Sequence, residues 1–229
     1  MVQVFRRLVL VAAVVAVVGA GQAAQAGSSY TLQELLDGQS LVVGDKVFTN
    51  FRNFIGIGGA PSASNITVTG QIGTGGVVEL FFTSAGWFVS SGQFMDTSFA
   101  FDVLVAAPNA IKRVEAALLA SSTSGTGQIN FDESIYEYDP STFPTNLIGD
   151  IGLTKPAGPT AGGLDLKPFR TKLTIYKDLA LIGGPNGFAS ISVLGQRFIQ
   201  TVVPEPSSVV LMGLGVTLMA GYAWRRRGR

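Results

Sequence analysis

The chain has 229 residues, of which 47% are hydrophobic and 14% charged, and it contains neither cysteine nor histidine. A chain of this length can bury one hydrophobic core, but it cannot form disulfides, thiol nucleophiles, histidine-dependent triads or zinc sites of cysteine and histidine. We therefore predict one globular domain without a cofactor, in which any catalysis would have to use carboxylates, lysine, tyrosine or serine.

The first 26 residues have the pattern of a secretory signal peptide. Arg6 and Arg7 precede an apolar run over residues 8–18, and small residues follow as far as Ala24 and Ala26. As a helix this run would rise only about 16 Å, too little to cross a hydrocarbon core of about 30 Å. The pattern predicts export by Sec-type machinery and cleavage after Ala26.

The body of the chain, residues 27–203, alternates short β-favouring runs with breaks rich in glycine, serine and proline. A capping box between Thr31 and Glu34 predicts a short helix over residues 31–36. The strand candidates are residues 41–48, 65–69, 77–82, 98–105, 129–138, 171–177 and 188–203. Eight or nine short strands at this spacing predict a mainly β fold, an antiparallel β-sandwich or a jelly-roll-like body.

Two segments of the body allow more than one interpretation. Residues 109–120 match helical spacing at Ile111, Val114 and Leu118, and they match strand spacing at Val114, Ala116 and Leu118. Their flanks favour a strand, so we expect less than a quarter of the body to be helical. The turn-forming residues 183–187 separate two strand candidates, which predicts a hairpin between them.

The body is weakly acidic, because residues 27–203 hold 10 Lys and Arg against 14 Asp and Glu. The whole chain has a net charge of +1 only because its two ends are basic. A basic surface for nucleic acid is therefore not predicted.

Acidic residues cluster late in the body, at Asp132, Glu133, Glu137 and Asp139. They could supply oxygen ligands to calcium, or a pair of carboxylates for glycoside hydrolysis. The spacing matches no EF-hand loop, and Glu133, Glu137 and Asp139 would share one strand face. A solvated strand face is the structural alternative that we favour, so we assign no metal or catalytic residue.

Two glycine-rich runs and several aromatic residues are candidate binding elements. Residues 56–61 and 73–76 complete neither a dinucleotide fingerprint nor a phosphate-binding loop, which favours loop glycines. Trp87 and Phe88 could stack on a sugar ring, but a buried core Trp87 is the expectation. The spacing of Phe48, Phe51 and Phe54 favours packing inside the body.

The C-terminal end combines a proline-rich tripeptide, an apolar segment and a basic tail. Residues 207–224 carry no charge and would span about 27 Å as a helix, which approaches the thickness of a bilayer core. Basic residues beyond the segment would keep the C-terminus in the cytoplasm. The tripeptide is Pro204, Glu205 and Pro206, and the tail includes Arg225, Arg226 and Arg227.

This succession resembles the PEP-CTERM sorting signal of exported Gram-negative proteins, over residues 204–229. The resemblance implies recognition by an exosortase, a membrane-embedded processing enzyme, and final residence at the cell surface or in an exopolysaccharide matrix. The open alternative is a plain membrane anchor with a proline stop before its helix. The chain would then consist of a signal peptide (1–26), an extracellular domain (27–203) and a sorting signal (204–229).

The body is itself similar to that of many small PEP-CTERM proteins, whose activity is generally unassigned. The similarity lies in residues 44–51 (GDKVFTNF), in Lys177-Asp178 and in residues 196–198 (QRF). Two hypotheses follow for function. The first is a non-enzymatic surface or matrix protein, structural or associated with polysaccharide. The second is a small carbohydrate-active enzyme that uses paired carboxylates.

Overall fold

The computed structural model describes residues 28–140 and 144–203, together with Leu214 and Thr217. Within these residues no helix has the length and apolar character needed to cross a membrane. Several predicted features lie outside the described residues: the signal peptide with Ala24 and Ala26, the tripeptide Pro204, Glu205 and Pro206, and the arginines Arg225, Arg226 and Arg227.

Thirteen strands and one α-helix build the described body. The helix is α1 (Leu32–Leu36). The strands are β1 (Ser29–Thr31), β2 (Leu41–Val43), β3 (Lys46–Ile57), β4 (Thr67–Ile72), β5 (Val78–Thr83), β6 (Phe88–Val89), β7 (Phe94–Val105), β8 (Asn109–Ser124), β9 (Gln128–Glu137), β10 (Leu147–Lys155), β11 (Ala161–Arg170), β12 (Lys172–Ile182) and β13 (Phe188–Val202).

The strands form two antiparallel sheets, which confirms the predicted mainly β, sandwich-like fold. The seven-stranded sheet has the order β1-β4-β5-β13-β8-β11, with β6 also paired to β13. The six-stranded sheet has the order β10-β9-β12-β7-β3-β2. Side chains from the inner faces of both sheets form the hydrophobic core, as two half-apolar sheets require.

The structure confirms two local predictions, the short helix with its capping box and the strand over residues 109–120. Thr31 Oγ1 accepts from the Glu34 amide, and a Glu34 carboxylate oxygen accepts from the Thr31 amide, so the predicted capping box is present. Residues 109–120 are strand, within β8, as their flanks indicated. There Val114 and Ala116 point into the core.

Two local predictions were wrong. Residues 41–48 are two strands, because Gly44 adopts a positive φ of 60° and turns the chain between β2 and β3. The predicted hairpin does not exist, since β12 belongs to the six-stranded sheet and β13 to the seven-stranded sheet. Residues 183–187 therefore carry the chain across the sandwich. Their turn composition cannot distinguish such a crossover from a hairpin.

Four strands, β1, β6, β10 and β11, were not predicted, and the two long ones among them are β10 and β11. Each of these two is the last strand of its sheet, and each carries many exposed or half-buried positions. An edge strand shows a weak apolar alternation because much of it faces solvent.

Aromatic residues fill the space between the sheets. Phe48 and Phe51 are buried and both contact Phe101, with ring centroids 6.2 and 5.1 Å away. Phe54 is only partly buried against the core. Trp87 is buried, as expected, and its indole nitrogen donates to Thr97 Oγ1 at 3.2 Å.

Candidate functional site

One row of polar residues crosses the outer face of the seven-stranded sheet. The register places five residues side by side on neighbouring strands, and they alternate along those strands with buried core residues. The row consists of Gln71 on β4, Glu79 on β5, Arg197 on β13, Glu115 on β8 and Gly163 on β11. Because side chains alternate between sheet faces, the row projects away from the core.

The three charged residues of this row form a charge ladder with two further residues, Arg113 and Asp165. Arg197 donates to Glu79 at 3.1 Å and to Glu115 at 3.0 Å. Arg113 donates to Glu115 at 2.8 Å and to Asp165 at 3.0 Å. These hydrogen bonds, the one to Glu115 first, raise the pKa of Arg113. The charge ladder, residues 79, 197, 115, 113 and 165, thus alternates in sign and is close to neutral.

A shallow groove of about 540 Å³ lies beside the charge ladder. Its floor is the next row of the sheet, where Gly195 stands opposite both Phe81 and Ala117, and Ala117 stands opposite Ala161. A Cβ atom at Gly195 would lie 2.7 Å from the Leu119 side chain. The missing side chain at Gly195 therefore leaves space between Phe81 and Leu119.

Two phenylalanines lie on the same outer face beyond the groove. Phe88 is 52% exposed and its ring centroid is 6.3 Å from that of Phe188. Gly195 lies seven positions after Phe188 on β13, a distance of roughly 20 Å along a strand. The face thus presents an aromatic pair, an apolar groove and a polar ladder in succession.

The acidic residues singled out in the sequence are not brought together. Glu133 is fully buried, so the expectation of a solvated face was wrong at this position. Glu133 lies on the same inward face of β9 as Phe131 and Ile135. Glu137 is exposed and bound to Arg170 at 2.9 Å, and Asp132 points to the opposite face. Among the described residues no group of three carboxylates could hold a metal ion.

Glu133 belongs instead to a buried lysine cluster. Lys177 stands opposite Glu133 in the six-stranded sheet, and its ammonium contacts Glu133 and Gln196 of the seven-stranded sheet. The ammonium also lies over the rings of Phe82 and Phe131, with their centroids 5.4 and 5.1 Å from the nitrogen. Burial lowers the pKa of Lys177, and the charge of Glu133 opposes that shift.

A second buried lysine repeats part of this arrangement. Lys46 is fully buried, contacts Gln200 of β13, and binds Asp45 at 2.9 Å. Burial also lowers its pKa. Lys46 and Lys177 belong to two of the segments that resemble the bodies of other PEP-CTERM proteins. Both lysines contact the same strand, β13. The sequence signal for the burial of Lys177 is its position two residues from Ile175 and from Leu179, because every second residue of a strand lies on the same face.

The outer face of the six-stranded sheet carries a different acidic pair. Burial and a side-chain contact with Asp96 raise the pKa of Asp178 to about 6, and the nearby Asp132 adds to the shift. One buried carboxyl oxygen of each residue in this pair has no hydrogen-bond partner.

A family model of the PEP-CTERM protein-sorting motif matches residues 202–227. The chain carries a PEP-CTERM sorting motif. This motif implies an exported protein that passes the membrane as a precursor and is processed by an exosortase. The PEP-CTERM motif begins at the end of β13, which includes Val202, so it directly follows the folded body.

Comparison with other proteins adds no family for the body of this chain, and no curated protein matches the chain. The enzymatically active domain of bacteriophage CBA120 tailspike protein 4 is 14% identical at a TM-score of 0.30, over 66% of this chain and 19% of that one. The chain thus spans about a fifth of that structure.

Two further solved structures are similar at the same low level. TmCBM61, solved in complex with β-1,4-galactotriose, is 11% identical at a TM-score of 0.25, over 52% of this chain and 69% of that one. Endoglucanase 3 of Trichoderma harzianum, from family GH12, is 10% identical at a TM-score of 0.24, over 72% of this chain and 98% of that one. All three scores are too low to carry an argument about function.

Proposed function

We propose that this protein is a non-catalytic component of the cell surface or exopolysaccharide matrix of a Gram-negative bacterium. The observation that carries the proposal is the PEP-CTERM motif directly behind the last strand. The signal peptide would start export, the apolar segment would hold the precursor in the inner membrane, and exosortase would then release the body. A plain tail anchor is the alternative for the last step.

Processing of the exported protein tests this route. Protein recovered from the culture medium is expected to lack residues 1–26 and the C-terminal segment beyond Pro204–Pro206, because each end carries a cleavage signal. Intact-mass measurement with mapping of both terminal peptides gives the two cleavage points. A secreted species that still carries Arg229 would contradict processing by exosortase.

The engagement of the two glutamates predicted from the sequence, and of those in the groove, supports a non-catalytic role. A glycosidase needs one carboxylic acid that donates a proton and a second carboxylate placed for attack or for water activation. Glu133 is enclosed in the core, and Glu137 is bound to Arg170. In the groove, Glu79 and Glu115 both accept from Arg197. Both groove carboxylates are thus held by the same guanidinium group.

The outer face of the seven-stranded sheet is the part of the body that we assign to polysaccharide association. Its occupant would be a neutral glycan chain, because the charge ladder alternates in sign and favours neither an anion nor a cation. Carboxylate and guanidinium groups offer acceptors and donors to hydroxyls. The faces of Phe81 and Phe88 offer apolar surface to sugar rings.

Removal of the groove phenylalanine tests this assignment. Phe81→Ala should weaken binding of a neutral glycan about tenfold, the usual weight of one aromatic platform. The full chain, kept in a detergent without sugar groups, would be run in native gels containing galactan, xyloglucan, mixed-linkage β-glucan or alginate. Phe94→Ala is the matched control, since Phe94 is exposed on the outer face of the other sheet.

Binding should change little with added salt, because aromatic and hydrogen-bonding contacts carry it. Retardation by alginate alone, or equal retardation of the two variants, would contradict the assignment of this face. Release of reducing ends from the same glycans would instead favour the second candidate function, a carbohydrate-active enzyme. The two readouts are independent of each other.

A further inference from the structure

The buried lysine cluster forms a closed triangle of an amine, a carboxyl and a carboxamide. Lys177 Nζ contacts Oε2 of Glu133 and Oε1 of Gln196. The other carboxyl oxygen, Glu133 Oε1, accepts from Gln196 Nε2 at 3.1 Å. The side chains are 1%, 0% and 0% exposed, so bulk water does not reach the triangle. Each group therefore has the other two as its polar partners.

An ion pair in this place is costly, because phenylalanine rings enclose the ammonium and replace water. Burial favours the neutral form of the Lys177 amine. Transfer of one proton from Lys177 to Glu133 gives a neutral amine beside a neutral carboxylic acid and removes both buried charges. A neutral lysine amine is a nucleophile, and here it lies against the side-chain amide of Gln196.

We propose that Lys177 and Gln196 join in an isopeptide bond that links the two sheets. Lys177 Nζ attacks Cδ of Gln196, so that a new C–N bond forms. The bond from Cδ to Nε2 then breaks, and the nitrogen leaves as ammonia. The product is a secondary amide, and the step consumes no oxidant, reductant or cofactor.

Glu133 is placed to move the protons of this step. Through Oε2 it takes a proton from the attacking amine, and through Oε1 it delivers a proton to the leaving nitrogen. This is the proton transfer that a general acid and base performs. The reaction happens once in each molecule, so it is a self-modification rather than turnover.

The second lysine provides an internal comparison. Asp45 contacts Lys46 through Oδ1, but its Oδ2 accepts from Asn109 at 2.8 Å. In the part of the chain that the structure describes, no carboxylate contacts the leaving nitrogen of Gln200. The Asp45 side chain is also 21% exposed. We therefore expect Lys46 and Gln200 to stay unlinked.

Such a bond would give an exported protein a covalent tie that its sequence otherwise lacks, because the chain has no cysteine. It would join β12 of the six-stranded sheet to β13 of the seven-stranded sheet. A cross-link between these two strands, which are consecutive along the chain, restricts the unfolded chain as a disulfide does. It also holds the two halves of the sandwich together.

Mass spectrometry of the full chain, purified in detergent, tests the proposal. The intact mass should be lower by one ammonia than that of the sequence between the mapped termini. Proteolysis should yield a branched peptide that joins Lys177 to Gln196. Linear peptides at both positions would overturn the proposal, and so would a loss of ammonia that maps only to the N-terminus or to Lys46 and Gln200.

Two variants separate the roles of the residues. Glu133→Gln keeps the shape of the side chain but removes the acid, so the full mass should return. Persistence of the bond in that variant would overturn the role of Glu133 in proton transfer. Gln200→Leu, the matched control, should still lose ammonia. If Glu133→Gln does not fold, the peptide map of the unaltered chain decides alone, and neither result depends on sorting or glycan binding.

Discussion

Lys177→Met is expected to destabilise the fold more than any change at the surface. The substitution leaves the carboxyl group of Glu133 buried without its polar partner Lys177, and it removes the link to Gln196 across the sandwich. Removing one partner of a buried ionisable pair in this way costs about 3–5 kcal/mol. In a chain of this length that corresponds to a fall in Tm of roughly 10 °C.

Thermal unfolding followed by far-UV circular dichroism measures this effect. Arg170→Met is the matched control, because Arg170 binds the exposed Glu137 and the loss of such a pair costs less than about 1 kcal/mol. Adding Glu133→Leu to Lys177→Met removes the stranded carboxyl and should recover part of the loss. A Tm for Lys177→Met within the error of the Arg170→Met value would contradict the structural weight assigned to the cluster.

Gly183→Ala is the second substitution with a large expected effect. Gly183 begins the crossover between the sheets, and a Cβ atom there would lie 1.8 Å from the carbonyl oxygen of Ser90. The Gly183 amide also donates to Gln93 O at 2.8 Å, which holds the two backbones together. Because the neighbour is backbone, relief requires the chain itself to move, at a cost of about 3 kcal/mol or more.

Chemical denaturation of Gly183→Ala and Gly152→Ala measures this cost. The control position, Gly152, lies within β10, where a Cβ atom would meet only Asp132, at the ordinary distance of 3.4 Å. Alanine is therefore tolerated there and should be neutral, or stabilising by about 0.5 kcal/mol. Equal denaturation midpoints for the two variants would show that the crossover tolerates a side chain.

The two buried lysines explain how a chain with modest charge joins two sheets. Lys46 and Lys177 come from the six-stranded sheet, and each contacts a glutamine of β13 in the seven-stranded sheet. Polar contacts between otherwise apolar faces fix how the sheets sit on one another, because a shifted arrangement would leave buried groups unpaired. One face of the central strand β13 therefore contacts the core and the buried lysines, and the opposite face lines the groove.

The sequence by itself determined the features that depend on neighbouring residues. The sorting motif is a contiguous stretch of residues 202–227. The capping box of Thr31 and Glu34 spans one helical turn. The alternation of Phe99, Phe101 and Val103 within β7 shows a strand, because successive side chains point to opposite faces of a sheet.

The tertiary structure alone decided what depends on pairing between distant strands. The charge ladder combines Glu79, Glu115 and Arg197 from three strands. Their register is set by packing over the whole sheet and not by any local motif. The burial of Glu133 and the transfer of the chain from β12 to the other sheet follow from the same cause. Both depend on which strand occupies each neighbouring position, which residues close in sequence do not specify.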